Sequence, residues 1–291
     1  ELDVDQLEVG KQIPVRLFTA ATHNCHIRRL QPKGRNQHAV FLVTESEALS
    51  YHYELNLRSV TFPANPGAVE PLEPDPRVAH TLHLSFDKYG NIQQSVAVGY
   101  RRLRPFADAD LTEHLAVIHD VQGEQHLGYT ETHYTGDVVE PAAGTAIIQH
   151  HRLRVPWEVQ TYELAGISPA HGRYFDLVEL RGYRLSDTLP NQGSIPVGKL
   201  KYHELPQTTA ANMRLVEHAR TLFFKDNPAD TLDFLKKPLP LGTLGPLGLP
   251  YEQYKLALTE ALLNAVFTDG QLDDTAPNGS TVRNMLSEPL I

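Results

Sequence analysis

The chain has 291 residues, a single cysteine (Cys25), and 26 Lys and Arg against 35 Asp and Glu, a net charge of −9. That length holds one large domain or two ordinary ones, and the acidic balance argues against a compact basic face for nucleic acid. One cysteine excludes an internal disulfide framework and a cysteine zinc cage.

No apolar run approaches the roughly 18 residues of a membrane span, so no membrane insertion is expected. No signal peptide is visible, which means little in a chain that starts at Glu1 without methionine and reads as a piece of a longer protein. Each of the fifteen histidines adds a positive charge on protonation, which carries the net charge from −9 to +6 in acid.

Up to about residue 205 the chain reads as short strands. Ile13–Ala20, His38–Val43 and Leu49–Glu54 come first, with "QPKGRN" and "FPANPGAVEPLEPDP" as breakers. The clearest signal lies in "DPRVAHTLHLSFDKYGNIQQSVAVGY", residues 75–100. His80, Leu82, Leu84 and Phe86 alternate with Thr81, His83 and Ser85, and Ile92, Val96, Val98 and Tyr100 alternate with Gln93, Ser95 and Ala97. Period-two alternation around "DKYGN" predicts a hairpin, with Gly90 free to take positive φ and Asp87 and Asn91 able to bond the turn.

Further strands are predicted over Gln125–Tyr134, Ala146–Leu153, Glu158–Leu164 and Tyr174–Arg181. The last third reads differently. Leu215, Val216, Ala219, Leu222 and Phe223 form one helical stripe, and Tyr254, Leu258, Ala261, Leu262, Ala265 and Val266 form another. Between them "KKPLPLGTLGPLGLP" reads as an extended apolar strap. The expected organisation is a β-rich segment over 1–205 and a helix–strap–helix segment over 206–291 packed on the sheet.

No catalytic, cofactor-binding or metal residue is assigned. His23, Cys25 and His26 have chelate-like spacing without a second cluster. His80 and His83, and likewise His150 and His151, point to opposite faces if they lie on strands. His114 and His119 fall in a segment with no clear pattern, and His218, beside Glu217, lies off the first helical stripe as a solvated or partner-contacting group. Gly198-Lys199 lacks the glycine spacing of a phosphate loop, and no G-x-S-x-G, G-x-G-x-x-G or H-E-x-x-H occurs. Asp108/Asp110 and Asp273/Asp274 read as solvated pairs, and Arg101–Arg104 as a solvated basic run. Trp157 with Tyr162 is more often core than a sugar platform.

Five blocks, "HAVFLVTESEALSYHYEL", "DPRVAHTLHLSFDKYGNIQQSVAVGYRR", "VPWEVQTYELAG", "RLVEHARTLFFKDN" and "LPLGTLGPLGLPYEQYKLALTEALL", resemble in this order the B component of bacterial Tc insecticidal toxin complexes and, more broadly, Rhs-repeat proteins. The resemblance runs from about residue 38 to 265. Residues 1–37 and 271–291 carry no such block, and Asn56–Pro74 is longer than the family pattern.

The resemblance implies a mainly β fold: a curved antiparallel Rhs-like sheet in the wall of a hollow shell, with two short helices near the C-terminus. It implies a secreted, non-enzymatic toxin segment with no cofactor. Its partners would be a C component, which completes the shell around its own toxic end, and a pore-forming A component reached through the parent chain's propeller. A surface β-domain binding a host glycan or receptor, with Trp157 as contact, is the alternative.

Overall fold

Alternating side chains, bulges and a few tight turns organise almost everything that can be described, in a computed structural model covering residues 12–13, 19–53, 58–59, 75–103, 109–141, 148–190, 192–259, 261–262 and 265. The chain divides into two compact units, one made of residues 1–83 and 97–127, the other of residues 84–96 and 128–291.

The first unit is built on one long hairpin. Strands β1 (Gln12–Ile13), β2 (Thr19–Gln31), β3 (Val40–His52) and β4 (Arg58–Ser59) pair antiparallel as β1 with β4 and β2 with β3. Gln12 faces Ser59 and Thr19 faces His52, so both ladders lie on the same diagonal. Bulges at Asn24/Cys25 and Arg29/Gln31 add twist. The expected strands His38–Val43 and Leu49–Glu54 are thus one strand up to His52, and the expected strand Ile13–Ala20 falls on β1 at Ile13 and on β2 at Thr19–Ala20, with residues 14–18 outside the described residues and β2 running on to Gln31. The Asn56–Pro74 segment lies outside the described residues except for Arg58–Ser59.

Strand β5 (Arg77–Phe86) pairs with β3, Glu47 facing Leu82 and His52 facing Arg77. Strand β6 (Ile92–Gly99) completes the predicted hairpin, and the order in this unit is β6-β5-β3-β2. Val78, His80, Leu82, Val98 and Leu127 are buried, and of these His80, Leu82 and Val98 lie on the face that the alternation picked out. A 3-10 turn (Ala109–His114) leads into helix α1 (Leu115–Gly123), which buries no residue.

In the second unit the strand order is β11-β12-β10-β7-β6-β5, with β13 also on β12. The strands are β7 (His126–Tyr134), β10 (Pro156–Ala165), β11 (Gly198–Leu200), β12 (Asn212–Phe223) and β13 (Pro250–Lys255). Strands β8 (Val138–Pro141) and β9 (Ile148–Arg152) form a separate pair. On β12, β10 and β13 pair antiparallel and β11 parallel. One side of β12 is shared, β11 lying along Asn212–Arg214 and β13 along Ala219–Phe223, so two short strands cover an edge that would otherwise recruit other chains.

The two helices expected near the C-terminus are not borne out among the described residues, and helices α1 and α2 (Leu177–Arg181) lie mid-chain. The first expected helix is β12, and the start of the second is β13. Beyond it only Ala261, Leu262 and Ala265 are described as helical; Val266 and residues 271–291 lie outside the described residues. One bulge explains the misreading. Thr161 faces Glu217 and Tyr162 faces Leu215, which leaves Val216 as an extra residue in β12. It resets the two-residue alternation, so Leu215, Val216, Ala219, Leu222 and Phe223 acquire a spacing near 3.6.

Tyr174–Arg181 is not a strand either. It contains helix α2 (Leu177–Arg181), whose N-cap Asp176 accepts from the Glu179 backbone N–H at 2.8 Å. Segment 166–197, which includes α2, packs on the sheet of this unit and buries Ile167, Phe175, Leu180 and Leu185. Arg181 Nε donates to the Leu84 carbonyl at 2.8 Å.

The turn of the hairpin is anchored in this unit. Asp87 Oδ1 accepts from the backbone N–H groups of Tyr89 and Asn91, and Gly90 has φ +91°. Arg154 donates to both Asp137 oxygens at 3.0 and 3.2 Å, and the Tyr89 hydroxyl donates to Asp137 at 2.7 Å. Arg154, with Tyr89 and Lys88, holds the Asp137 carboxyl far below its usual range. The leucine-rich strap runs beside β12, with Leu239 N donating to Phe223 O at 2.7 Å and Phe224 N to Leu249 O at 2.9 Å.

Candidate functional site

Strand β7 reads HLGYTETHY, so Leu127, Tyr129, Glu131 and His133 share one face, and a carboxylate stands where an apolar side chain is expected. Glu131 is 3% exposed. Burying a charge is costly unless it is paired and fully hydrogen-bonded, and here it is both. Its Oε1 accepts from Thr188 Oγ1 at 2.8 Å and pairs with His133 Nε2 at 2.6 Å. Its Oε2 accepts from the Tyr129 hydroxyl at 2.8 Å, and Tyr129 in turn accepts from Gln94 Nε2 at 2.7 Å. Gln192 Nε2 donates to Gln94 Oε1 at 3.2 Å and Ser186 N donates to Gln192 Oε1 at 3.0 Å. Segment 166–197 is therefore tied to the sheet by polar bonds as well as by its leucines.

The belt continues on the neighbouring strands. The rings of Tyr129 and Tyr162 lie 5.8 Å apart, and Tyr162 donates to Gln160 Oε1 at 3.1 Å. Glu158, 7% exposed, pairs through Oε1 with His218 Nε2 at 2.7 Å and accepts from Arg220 Nε at 2.8 Å. Burial pushes the Glu158 carboxyl up, but His218 and Arg220 outweigh it and bring it to about 2. Burial also pushes Glu131 up, and its polar neighbours, His133 and Thr188 first, together bring it below the ordinary value. The His133–Glu131 bond raises His133 against the effect of burial. Tyr129 is driven up by burial and then by the charge of Glu131, and Tyr162 is pushed up to about 12 for the same reasons.

The chemistry open to this cluster can be read from one nitrogen. A hydroxyl–histidine–carboxylate relay needs the hydroxyl on one ring nitrogen and the carboxylate on the other. Here Thr188 Oγ1 lies 3.4 Å from His133 Nε2, the same nitrogen that pairs with Glu131, and the Thr188 proton goes to Glu131. The arrangement leaves Thr188 unactivated. Its carboxylates are held ionised by fixed donors, so the belt clamps the fold rather than moving protons. Among the described residues no three His, Cys, Asp or Glu are grouped to hold a metal ion.

The residues singled out from sequence fall elsewhere or into ion pairs. His23, Cys25 and His26 lie on β2, where three-residue spacing puts the two histidines on opposite faces; His23 pairs with Glu45 at 2.7 Å and Cys25 is exposed. His80 is buried in the first unit between Glu47 Oε1 and the Tyr100 hydroxyl, each at 2.8 Å, whereas His83 bonds the Glu45 carbonyl. His150 and His151 sit on β9, His119 on α1, and His114 at the end of the 3-10 turn. Lys199 pairs with Asp187, and Arg102 with Asp75. Arg101 is exposed; Arg104, Asp108, Asp273 and Asp274 lie outside the described residues, and Asp110 falls in the 3-10 turn.

His218 belongs to a strand, and Glu158 is its partner rather than its neighbour Glu217. Trp157 is half-buried, with the His133 ring 6.1 Å away; a methyl on Gly242 would stand 3.3 Å from its indole. The strap therefore occupies ring surface that a sugar platform would need free.

Sequence reasoning passed over Glu131, Glu158 and Thr188. A charge in phase with Tyr129 and His133 was the available signal, but its partner Thr188 is 57 residues away.

Between pH 5.5 and 7.5 the histidines of the two units respond with opposite signs. His133 is raised in the fold, so its contribution is complete below its unfolded value near 6.5 and is lost as pH rises through the folded value. Glu158 is depressed, so its contribution is complete above about 4.5 and is lost as pH falls toward 2. Burial lowers His80 against the pull of Glu47, so its contribution is present above about 6.5 and fades below it. Hydrogen exchange corrected for intrinsic rate, compared at pH 5.5 and 7.5, should show β7 and β10 better protected at 5.5 and the β3–β5 seam better protected at 7.5. The same sign in both units would contradict these assignments.

Comparison with known proteins adds the following. Residues 3–62 match the family model described as "Insecticide toxin TcdB middle/C-terminal region". That match spans the long hairpin and includes residues 3–37, where the sequence blocks had shown no resemblance. No curated protein matches. Among solved structures, "Crystal Structure of TcdB2-TccC3" is similar at 16% identity and a TM-score of 0.52 over 87% of this chain. The form without the hypervariable C-terminal region gives 16% and 0.53 over 88%, and the TcdB2-TccC3-Cdc42 structure gives 18% and 0.52 over 87%. The chain spans about 10% of the length of those chains. Through its N-terminal hairpin by family and through most of its length by fold, this chain resembles the B component of Tc insecticidal toxin complexes.

Proposed function

We propose that the chain is a structural, non-catalytic part of a Tc-toxin B component, forming Rhs-like β-shell around a toxic cargo that is carried by a C component and delivered to host cells. The observation that carries this reading is the fold likeness over 87% of the chain to TcdB2-TccC3 structures. The closed polar belt supports it, because Glu131, Glu158 and their partners hold strands and covering segment together and leave no activated nucleophile. The strands of residues 1–205 together with β12 and β13 furnish the wall, and the leucine-rich strap braces them. The protein is secreted as part of a complex whose pore-forming A component engages the parent chain elsewhere. It needs no cofactor.

The test uses the full parent chain co-expressed with its C partner, with and without residues 75–205. Survival of the partner's toxic end under protease, lost on deletion, supports the wall. Survival that persists after deletion puts this stretch outside the container and overturns the reading.

A further inference from the structure

Residues 19–44, which form β2, the turn and the first part of β3, contain Arg28, Arg29, Lys33 and Arg35 and no Asp or Glu. The net charge of the whole chain is −9, so the rest of it carries −13. A cationic arm on an acidic protein is a departure from random mixing, and three structural facts give it a surface.

Ile27 faces Val43 and Arg29 faces Phe41 across the ladder, so these four side chains share one face of the ribbon. Ile27, Val43 and Phe41 are 63%, 56% and 53% exposed, an apolar stripe open to solvent with a cation beside it. Strand β2 is also the terminal strand of its sheet among the described residues, 13 residues long, and offers an unpaired edge of backbone donors and acceptors.

From these we infer that the outer edge of β2 is a docking strand for an extended acidic polypeptide segment whose apolar side chains alternate with carboxylates. Such a segment adds to the sheet by main-chain bonds, lays its apolar side chains on Ile27, Phe41 and Val43, and sets its carboxylates against Arg29, Lys33 and Arg35. A bilayer or a nucleic acid satisfies the cations but not the directional edge, and the −13 on the remainder of the chain repels both. The inference stands apart from the shell reading, since it rests on this arm alone.

The experiment titrates the full chain with a fluorescent ten-residue peptide alternating Glu with Val or Thr, and with the same peptide carrying Lys for Glu. Anisotropy gives affinity, and hydrogen exchange reports the amides of residues 19–31. The expected result is at least tenfold tighter binding of the Glu peptide and new protection along 19–31. Arg29→Glu combined with Lys33→Glu should lose tenfold or more, and Arg29→Lys should retain binding. Arg29 and Lys33 are exposed, and circular dichroism verifies that the variants stay folded. Equal binding of both peptides, binding without protection of 19–31, preferential binding of phosphatidylserine vesicles or duplex DNA, or self-association of the chain through the same amides would each overturn it.

Discussion

Glu131→Ala is expected to unfold the second unit under conditions where the first persists, at a cost of about 3–5 kcal/mol, because removing one member of a buried pair leaves the other uncompensated. Three donors converge on that carboxylate: the Tyr129 hydroxyl, the Thr188 hydroxyl and His133 Nε2. Alanine strands all of them at a site 3% exposed and frees segment 166–197 from one of its ties. Glu131→Gln separates charge from shape. Its amide oxygen can still accept from His133 and Thr188, but its NH2 then meets the Tyr129 hydroxyl, which already accepts from Gln94 Nε2. A smaller loss of roughly 1–3 kcal/mol follows from one misdirected buried donor. Urea unfolding followed by the fluorescence of Trp157, which neighbours His133, measures both. Equal stability of wild type and alanine variant would remove the belt from any structural role.

The second large effect is expected at Gly166, where β10 ends and the covering segment begins. Its φ is +69°, and a Cβ there would stand 1.9 Å from the Ala210 carbonyl oxygen. Backbone cannot rotate out of the way as a side-chain tip can. Gly166→Ala therefore combines left-handed strain with a main-chain clash, for about 3 kcal/mol or more. The same measurement serves, and Gly172→Ala is the control. Gly172 has φ +83° but nothing within 4 Å of its Cβ, so it isolates the strain of about 1–2 kcal/mol from the clash. If the two variants lose the same stability, the approach of residue 210 to residue 166 is looser than described.

These two residues also mark where sequence reading succeeds and fails. The β5–β6 hairpin and β7 were legible because each keeps strict alternation over eight or more residues and ends in turn chemistry. β12 was not, since its bulge at Val216 shifts the parity inside a single strand. The α2 signal was present and unread: Asp176 followed by Glu179 has capping-box spacing at the start of "LVELR". For the site, the expected strand Gln125–Tyr134 holds Tyr129 and His133, but nothing local announces that Thr188 or Gln192 will close over them. Ion pairs between strands far apart in sequence, such as His218 with Glu158, depend on the strand order, which a single sequence does not specify.

The shared diagonal of the two ladders in the first unit has a kinetic consequence. The β2–β3 hairpin closes a turn of only eight residues, 32–39, whereas pairing β10 with β12 must first close residues 166–211. Loop-closure entropy alone makes the second event about 1.5 kcal/mol costlier. Once the turn at 32–39 has nucleated, the ladder from Gln31 back to Thr19 can zip without waiting for any later strand, on the microsecond scale of hairpins. On a ribosome adding roughly 5–20 residues per second, this arm has ample time to assemble before β10 is even synthesised. Strands β5 and β6, made next, then meet a finished edge at β3 rather than a fluctuating chain.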